Sequence, residues 1–221
     1  MNNSFVDKGN DCKRLFRDAY ENRYTWEEGF KGYKGNCSFQ DSQFKSKGQF
    51  IVGEDLKASV SNIDNKDIEK LISAQLWEVA IHRVKRGFDK VHGQNTFTAG
   101  DINEFGLEVL VGGTNKGDKY RIKENIVTMV FRHIHGKLIK IYTMGTIDTG
   151  QGYLSSRYTS QYFDPLLIDK PISALKRYED SYISLDESGT YVLASRKIEK
   201  DKFDCSPSSI EQFSFLELSL L

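Results

Sequence analysis

Proline is almost missing from this chain: three occur in 221 residues, Pro165, Pro171 and Pro207. Pro165 and Pro171 bracket one loop and Pro207 precedes the last strand pattern, so no strand interior loses a ladder donor to proline. Cysteine is equally scarce. Cys12, Cys37 and Cys205 are odd in number and far apart, and nothing resembles a CxxC pair. That excludes zinc-ribbon and thioredoxin-type readings and leaves free thiols as the expectation. Charge of one sign is not in excess: 31 Lys plus Arg balance 31 Asp plus Glu. A dedicated nucleic-acid surface needs a basic surplus to displace counterions from phosphates, so nucleic acid is excluded as the partner of the whole domain. No apolar run approaches the roughly 20 residues of a membrane span, so an integral membrane protein is not expected. The start, MNNSFVDKGNDCKRLF, has neither a basic n-region nor an apolar h-region, which points to an intracellular protein.

What the chain does have is periodicity. Leu15, Phe16, Ala19, Tyr20 and Tyr24 recur at helical spacing and predict a first helix over 11–25, with Asp11 as its N-cap. Residues 30–63 alternate and break at Gly48 and Gly53, as a three-strand meander does. Ile68, Leu71, Ile72, Gln75, Leu76, Val79 and Ala80 lay down a second stripe, predicting a helix over 65–86 capped by Asn65 or Asp64. Strand patterns then fill 100–221. The expected class is α+β, a single domain over 1–221 in which a large, curved antiparallel sheet (a half-barrel or open barrel) wraps two helices.

Turn chemistry sets a register in the middle of the chain. His135-Gly136 reads as a two-residue hairpin turn, since glycine supplies positive φ and histidine tolerates it, and Glu124-Asn125 is a second candidate. With those turns, Tyr120, Met129, Phe131, His133, Tyr142, Met144, Tyr158 and Tyr162 fall on one strand face. Four tyrosines and two methionines are an odd choice for a dry core, where leucine, isoleucine and valine leave no hydroxyl unsatisfied. These eight residues are the expected ligand-binding wall, in a cavity between sheet and helices.

Other motifs read as structure. His133-Ile134-His135 supplies too few zinc ligands once His135 sits in a turn. Gly112 to Asp118 has glycines at phosphate-loop spacing but lacks the lysine and the following helix, so it reads as a hairpin connection. Glu78 and His82, four apart on the second helix, match an acid–base pair and a solvated face equally well. Ser155, Ser156 and Ser160 have no elbow turn or base nearby in sequence. No catalytic residue, metal ligand or cofactor is assigned.

Asn22-Arg23-Tyr24-Thr25-Trp26, Gln75 through Arg83, Phe131 through Gly136, and Gly152 through Tyr162 resemble a domain-of-unknown-function family of cyanobacteria and plastids, over most of the chain. The resemblance implies a cytoplasmic or plastid-stromal setting and brings no activity. The order of elements is also similar to the lipoprotein-carrier fold, an incomplete barrel around helices that takes acyl chains. Together these readings favour a non-enzymatic binding protein or carrier for a small hydrophobic or amphipathic molecule (lipid, pigment or isoprenoid). The alternatives are an enzyme or chromophore-attachment factor using the same cavity, and a protein-binding scaffold.

Overall fold

The computed structural model describes the backbone of residues 4–221 and the side chains of residues 11–221. From the N-terminal side the chain forms α1 (Ser4–Glu21), β1 (Gly32–Gln40), β2 (Lys45–Gly53), β3 (Ala58–Ser61), α2 (Lys66–His82) and a short α3 (Phe88–His92). Strands follow to the end: β4 (Asn95–Asn103), β5 (Gly106–Gly113), β6 (Lys119–Lys123), β7 (Ile126–Ile134), β8 (Lys137–Asp148), β9 (Tyr153–Phe163), β10 (Lys176–Ser184), β11 (Tyr191–Lys200) and β12 (Ser209–Leu220). The class is α+β with an open antiparallel sheet and helices, as the residue patterns anticipate.

Two compact units share the chain, each built from two stretches of sequence. Unit one holds the described residues up to Arg23 together with Arg86–Lys176, and unit two holds Tyr24–Lys85 with Arg177–Leu221. In unit one the strands run β4-β5-β6-β7-β8-β9, each beside its neighbour in sequence. In unit two the order is β10-β11-β12-β1-β2-β3, so β12 returns to pair antiparallel with β1.

The hairpin turns form where positive φ is tolerated. Glu124 and Asn125 take φ 51 and 60, and His135 and Gly136 take φ 49 and 73. These are the mirror-image turns whose twist matches that of the flanking strands. β-Bulges supply further bending. At the bulge between Lys34 and Asn36, a Cβ on Gly35 would lie 2.6 Å from the Leu216 carbonyl oxygen, so only glycine fits.

Both expected helices form, with corrected ends. α1 begins at Ser4 rather than at an Asp11 cap; Asp11 is interior and accepts from Arg14 at 3.2 Å. It also stops at Glu21, short of 25, because the Asn22 carbonyl accepts from Tyr153 N–H at 2.8 Å and Arg23 bridges to Tyr153. Tyr24, assigned to the α1 stripe by spacing, belongs to unit two instead. α2 is capped as expected: the Asn65 side chain accepts from the Asp67 and Ile68 N–H groups, and Ile68, Ile72, Gln75, Leu76, Val79 and Ala80 are buried. α3 and the first five residues of β4, read as connection from sequence, are the elements missed.

Candidate functional site

In unit one, the eight residues expected to form one wall fall on two faces and a bulge. Met129 pairs with Tyr142 and His133 with Leu138, so Met129, Phe131, His133 and Tyr142 share a face as expected. A register shift between Arg121 and Ile122 leaves Thr128 unpaired and pairs Tyr120 with Val130, on the other face. β8 and β9 pair Thr143 with Tyr158 and Ile139 with Tyr162, which puts both tyrosines on that other face too. Met144 sits in a second shift and is 55% exposed. Side chains alternate along a strand, so each one-residue bulge reverses everything beyond it. Hairpin turns are legible from sequence because they need special φ; the bulge beside Arg121 carries no such signature, whereas Gly145 inside the β8 pattern marks the second.

The two faces are packed differently. Met129, Phe131, Leu138 and Phe163 form a small strand-only cluster with Tyr142 against it, and the Phe105 ring lies 4.8 Å from that of Tyr142. Tyr120 instead joins the core under α1, stacked on Phe16 with ring centres 4.4 Å apart. His92 completes that core. It is 4% exposed and lies against Phe16, Tyr20, Phe88, Phe97 and Tyr120. The Asn95 amide lies 3.1 Å from its Nδ1, so the neutral ring accepts there. Burial, reinforced by Arg132 and Arg23, lowers the His92 pKa to about 4.

That shift has a stability consequence. Between pH 4 and about 6.5 the unfolded chain takes up a proton that the folded chain refuses, so stability is full above 6.5 and falls as pH drops toward 4. Across that window the loss is about 3–3.5 kcal/mol at roughly 1.4 kcal/mol per unit. Urea unfolding of the wild type and of His92→Phe at pH 7 and pH 5 tests this. The wild type should lose stability over that interval and the variant should lose about 2 kcal/mol less.

Unit two holds a polar cluster in its core. Arg196 is 2% exposed and binds Asp180 bidentately, Nε to Oδ1 at 2.8 Å and Nη2 to Oδ2 at 2.7 Å. Its Nη1 donates to Gln75 Oε1 at 3.0 Å and to Glu78 Oε1 at 3.3 Å, both on the underside of α2. Tyr182 Oη donates to Asp180 Oδ2 at 3.2 Å and accepts from Arg83 Nη2 at 3.1 Å. Arg83 in turn is the C-cap of α2, and its carbonyl accepts from Trp26 N–H at 2.7 Å. One chain of donors and acceptors therefore runs from the end of α2 through β10 to β11 and back to α2.

Two donors in this region lack a partner among the described residues: Tyr33 Oη and Arg83 Nε. Tyr33 has no exposed surface and lies edge-on to Trp26 and Phe50. Burial pushes its phenol well above the usual range, and Arg83, Tyr182 and Arg196 are near enough to act on it. Tyr182 is pushed up to about 12 for the same reason. Both phenols therefore stay protonated at neutral pH and serve as donors, not bases. Orphaned buried donors are rare in folded proteins and call for an acceptor.

Sequence reasoning missed Arg196 and Asp180, although the period-2 pattern was there to read. Tyr178, Asp180 and Tyr182 alternate along β10, with Tyr178 and Asp180 buried, and Arg196 is buried two positions before buried Ile198. A charge at an inward strand position is the mark of such a site. Glu78, taken with His82 as an acid–base candidate, is engaged by Arg196. Among the described residues no group of three or more His, Cys, Asp or Glu gathers to hold a metal ion. An open depression of about 580 Å³ at the Gln40–Ser42 turn and Ser208–Gln212 is lined mostly by polar residue types.

The fold and this cluster describe an α+β protein with a buried polar network under a helix. Residues 7–221 match the family described as protein of unknown function DUF3386, and the chain belongs to that family. No curated protein matches it. Among solved structures, a putative outer membrane lipoprotein-sorting protein domain from Vibrio parahaemolyticus is similar over 96% of this chain and 93% of its own, at 6% identity and a TM-score of 0.35. A DUF1329 family protein from Desulfovibrio piger is similar over 97% and 92%, at 9% identity and a TM-score of 0.29.

Proposed function

We propose that this chain is a non-enzymatic binding protein for an amphipathic small molecule, such as a lipid, pigment or isoprenoid acid. Its oxygen-bearing end is taken by Tyr33 and Arg83 beneath α2. The observation that carries the proposal is the pair of orphaned buried donors, Tyr33 Oη and Arg83 Nε, beside a network whose acceptors are already engaged. A carboxylate or phosphate oxygen brings acceptors only, the complement of a guanidinium N–H and a phenol O–H. The aromatic side chains packed against Tyr33, namely Trp26, Phe30 and Phe50, make its surroundings apolar, as the rest of such a molecule requires.

Thermal unfolding with oleate and with a lysophospholipid, one carboxylate and one phosphate head, tests the proposal. At least one should raise the Tm of the wild type, since a ligand at 100 times its Kd adds about 2.7 kcal/mol. Tyr33→Phe removes a buried hydroxyl that has no partner among the described residues, so the free protein should be as stable as the wild type or more so, while its response to ligand shrinks. An undiminished response in Tyr33→Phe would contradict the assignment.

A further inference from the structure

In the loop between β9 and β10, in unit one, Leu166, Leu167 and Ile168 stand in water consecutively at 89%, 55% and 46% exposure, followed by Ile172 at 39%. The loop is not slack. Its base is closed by the Phe163–Pro171 bridge and by Asp164 N–H donating to the Lys170 carbonyl at 3.0 Å. Within it, Leu167 N–H donates to the Asp164 carbonyl and Lys170 N–H to the Leu167 carbonyl, and Leu166 N–H is held by Asp164 Oδ1 at 2.9 Å. The fold therefore fixes this backbone while presenting three branched aliphatic side chains outward. A contiguous exposed apolar patch of this kind marks an interaction site.

The surroundings say what it meets. In the antiparallel sheet of unit one, the start of β6, the β7–β8 turn and the end of β9 lie at one end, since Lys119 pairs with Phe131 and Leu138 with Phe163. That end carries Lys119, Lys137, Lys140 and Lys170. Lys140 Nζ lies 4.6 Å over the Phe163 ring at the loop base, and Lys119 and Lys140 both lie over Phe131. Lys137 lies over Tyr162. None of the four takes part in an ion pair among the described residues. Of the nearby carboxylates, Asp118 is buried against Arg132 and His133, Asp164 is spent on the loop backbone, and Asp169 is the one exposed acid of the loop, flanked by Lys170 and outnumbered by the four lysines.

We propose that the 164–172 loop is a membrane-docking finger, which seats Leu166, Leu167 and Ile168 in the acyl boundary of an anionic bilayer while the four lysines meet lipid phosphates. Aliphatic tips with unpaired lysines behind them match the two halves of such an interface, apolar below the headgroups and negative at their level. No helix among the described residues is long and apolar enough to cross a membrane, so contact of this type is peripheral. The inference stands apart from the small-molecule reading, since it uses other residues and another unit.

Vesicle co-sedimentation tests it, with phosphatidylcholine alone and with about a third phosphatidylglycerol. Wild-type protein should sediment with the anionic vesicles, and less at high salt. The triple variant Leu166→Asp, Leu167→Asp, Ile168→Asp changes only exposed side chains, so its circular dichroism should be unchanged while binding drops tenfold or more. Lys137→Glu with Lys140→Glu should lower binding to the anionic vesicles by roughly fivefold or more per lysine. As a second readout, Leu167→Trp should shift its emission to the blue on adding anionic vesicles. Absence of wild-type sedimentation, or equal sedimentation of the triple variant, would overturn the proposal. So would capture of a protein partner by the loop without any vesicle binding.

Discussion

Asp180→Ala is expected to destabilise the protein by about 3–5 kcal/mol, because it removes the bidentate counterion of a guanidinium buried in the core. Gln75 Oε1 at 3.0 Å and Glu78 Oε1 at 3.3 Å both bind Nη1, whereas Nε and Nη2 lose the carboxylate they bind in the intact pair. Replacing both members, Asp180→Leu with Arg196→Met, should recover most of that loss or exceed the wild type. Buried ion pairs seldom outperform apolar side chains of similar volume. The combination matters for function. If the double variant is stable and no longer responds to an amphiphile, the pair serves the site and not the fold. Urea unfolding of the three proteins reads the stabilities directly, and a loss under about 1 kcal/mol for Asp180→Ala would mean that the pair is solvated.

In unit one the largest effect belongs to Phe16→Ala. Phe16 is 1% exposed and its ring meets those of Tyr20, Phe88, His92, Phe97 and Tyr120. Removing it opens a cavity lined by stiff aromatic rings that collapse poorly, so the cost should lie near 3–5 kcal/mol. Trp77→Ala is the matched control from α2. Trp77 is 49% exposed, and truncation there should cost roughly half a kcal/mol or less. If the two variants lost equal stability by urea unfolding, α1 would not be anchored through Phe16.

The sequence was most legible where one residue type meets one local need. Asn65 caps α2, Glu124-Asn125 and His135-Gly136 make mirror-image turns, and Ile68, Ile72, Leu76 and Val79 form the buried stripe, all as their spacing anticipates. It was illegible where long-range contacts decide. The end of α1 is set by Asn22 meeting Tyr153, more than a hundred positions later. The aromatic wall failed at two strand irregularities: the one beside Arg121 has no local signal, and the one around Gly145 is marked by the glycine inside the strand pattern. The polar cluster draws Gln75 to Arg196 across 121 positions, so no local window contains it. The charges at inward positions of β10 and β11 were visible signs, and their partners were not.

Native mass spectrometry on the chain purified from its own host, beside Tyr33→Phe prepared the same way, tests the binding reading most directly. The account predicts an added mass on the wild-type protein that leaves on denaturation, carries a carboxylate or phosphate, and is depleted in Tyr33→Phe. A wild-type protein at its bare mass under gentle ionisation, or the same adduct at the same occupancy in both proteins, would contradict it.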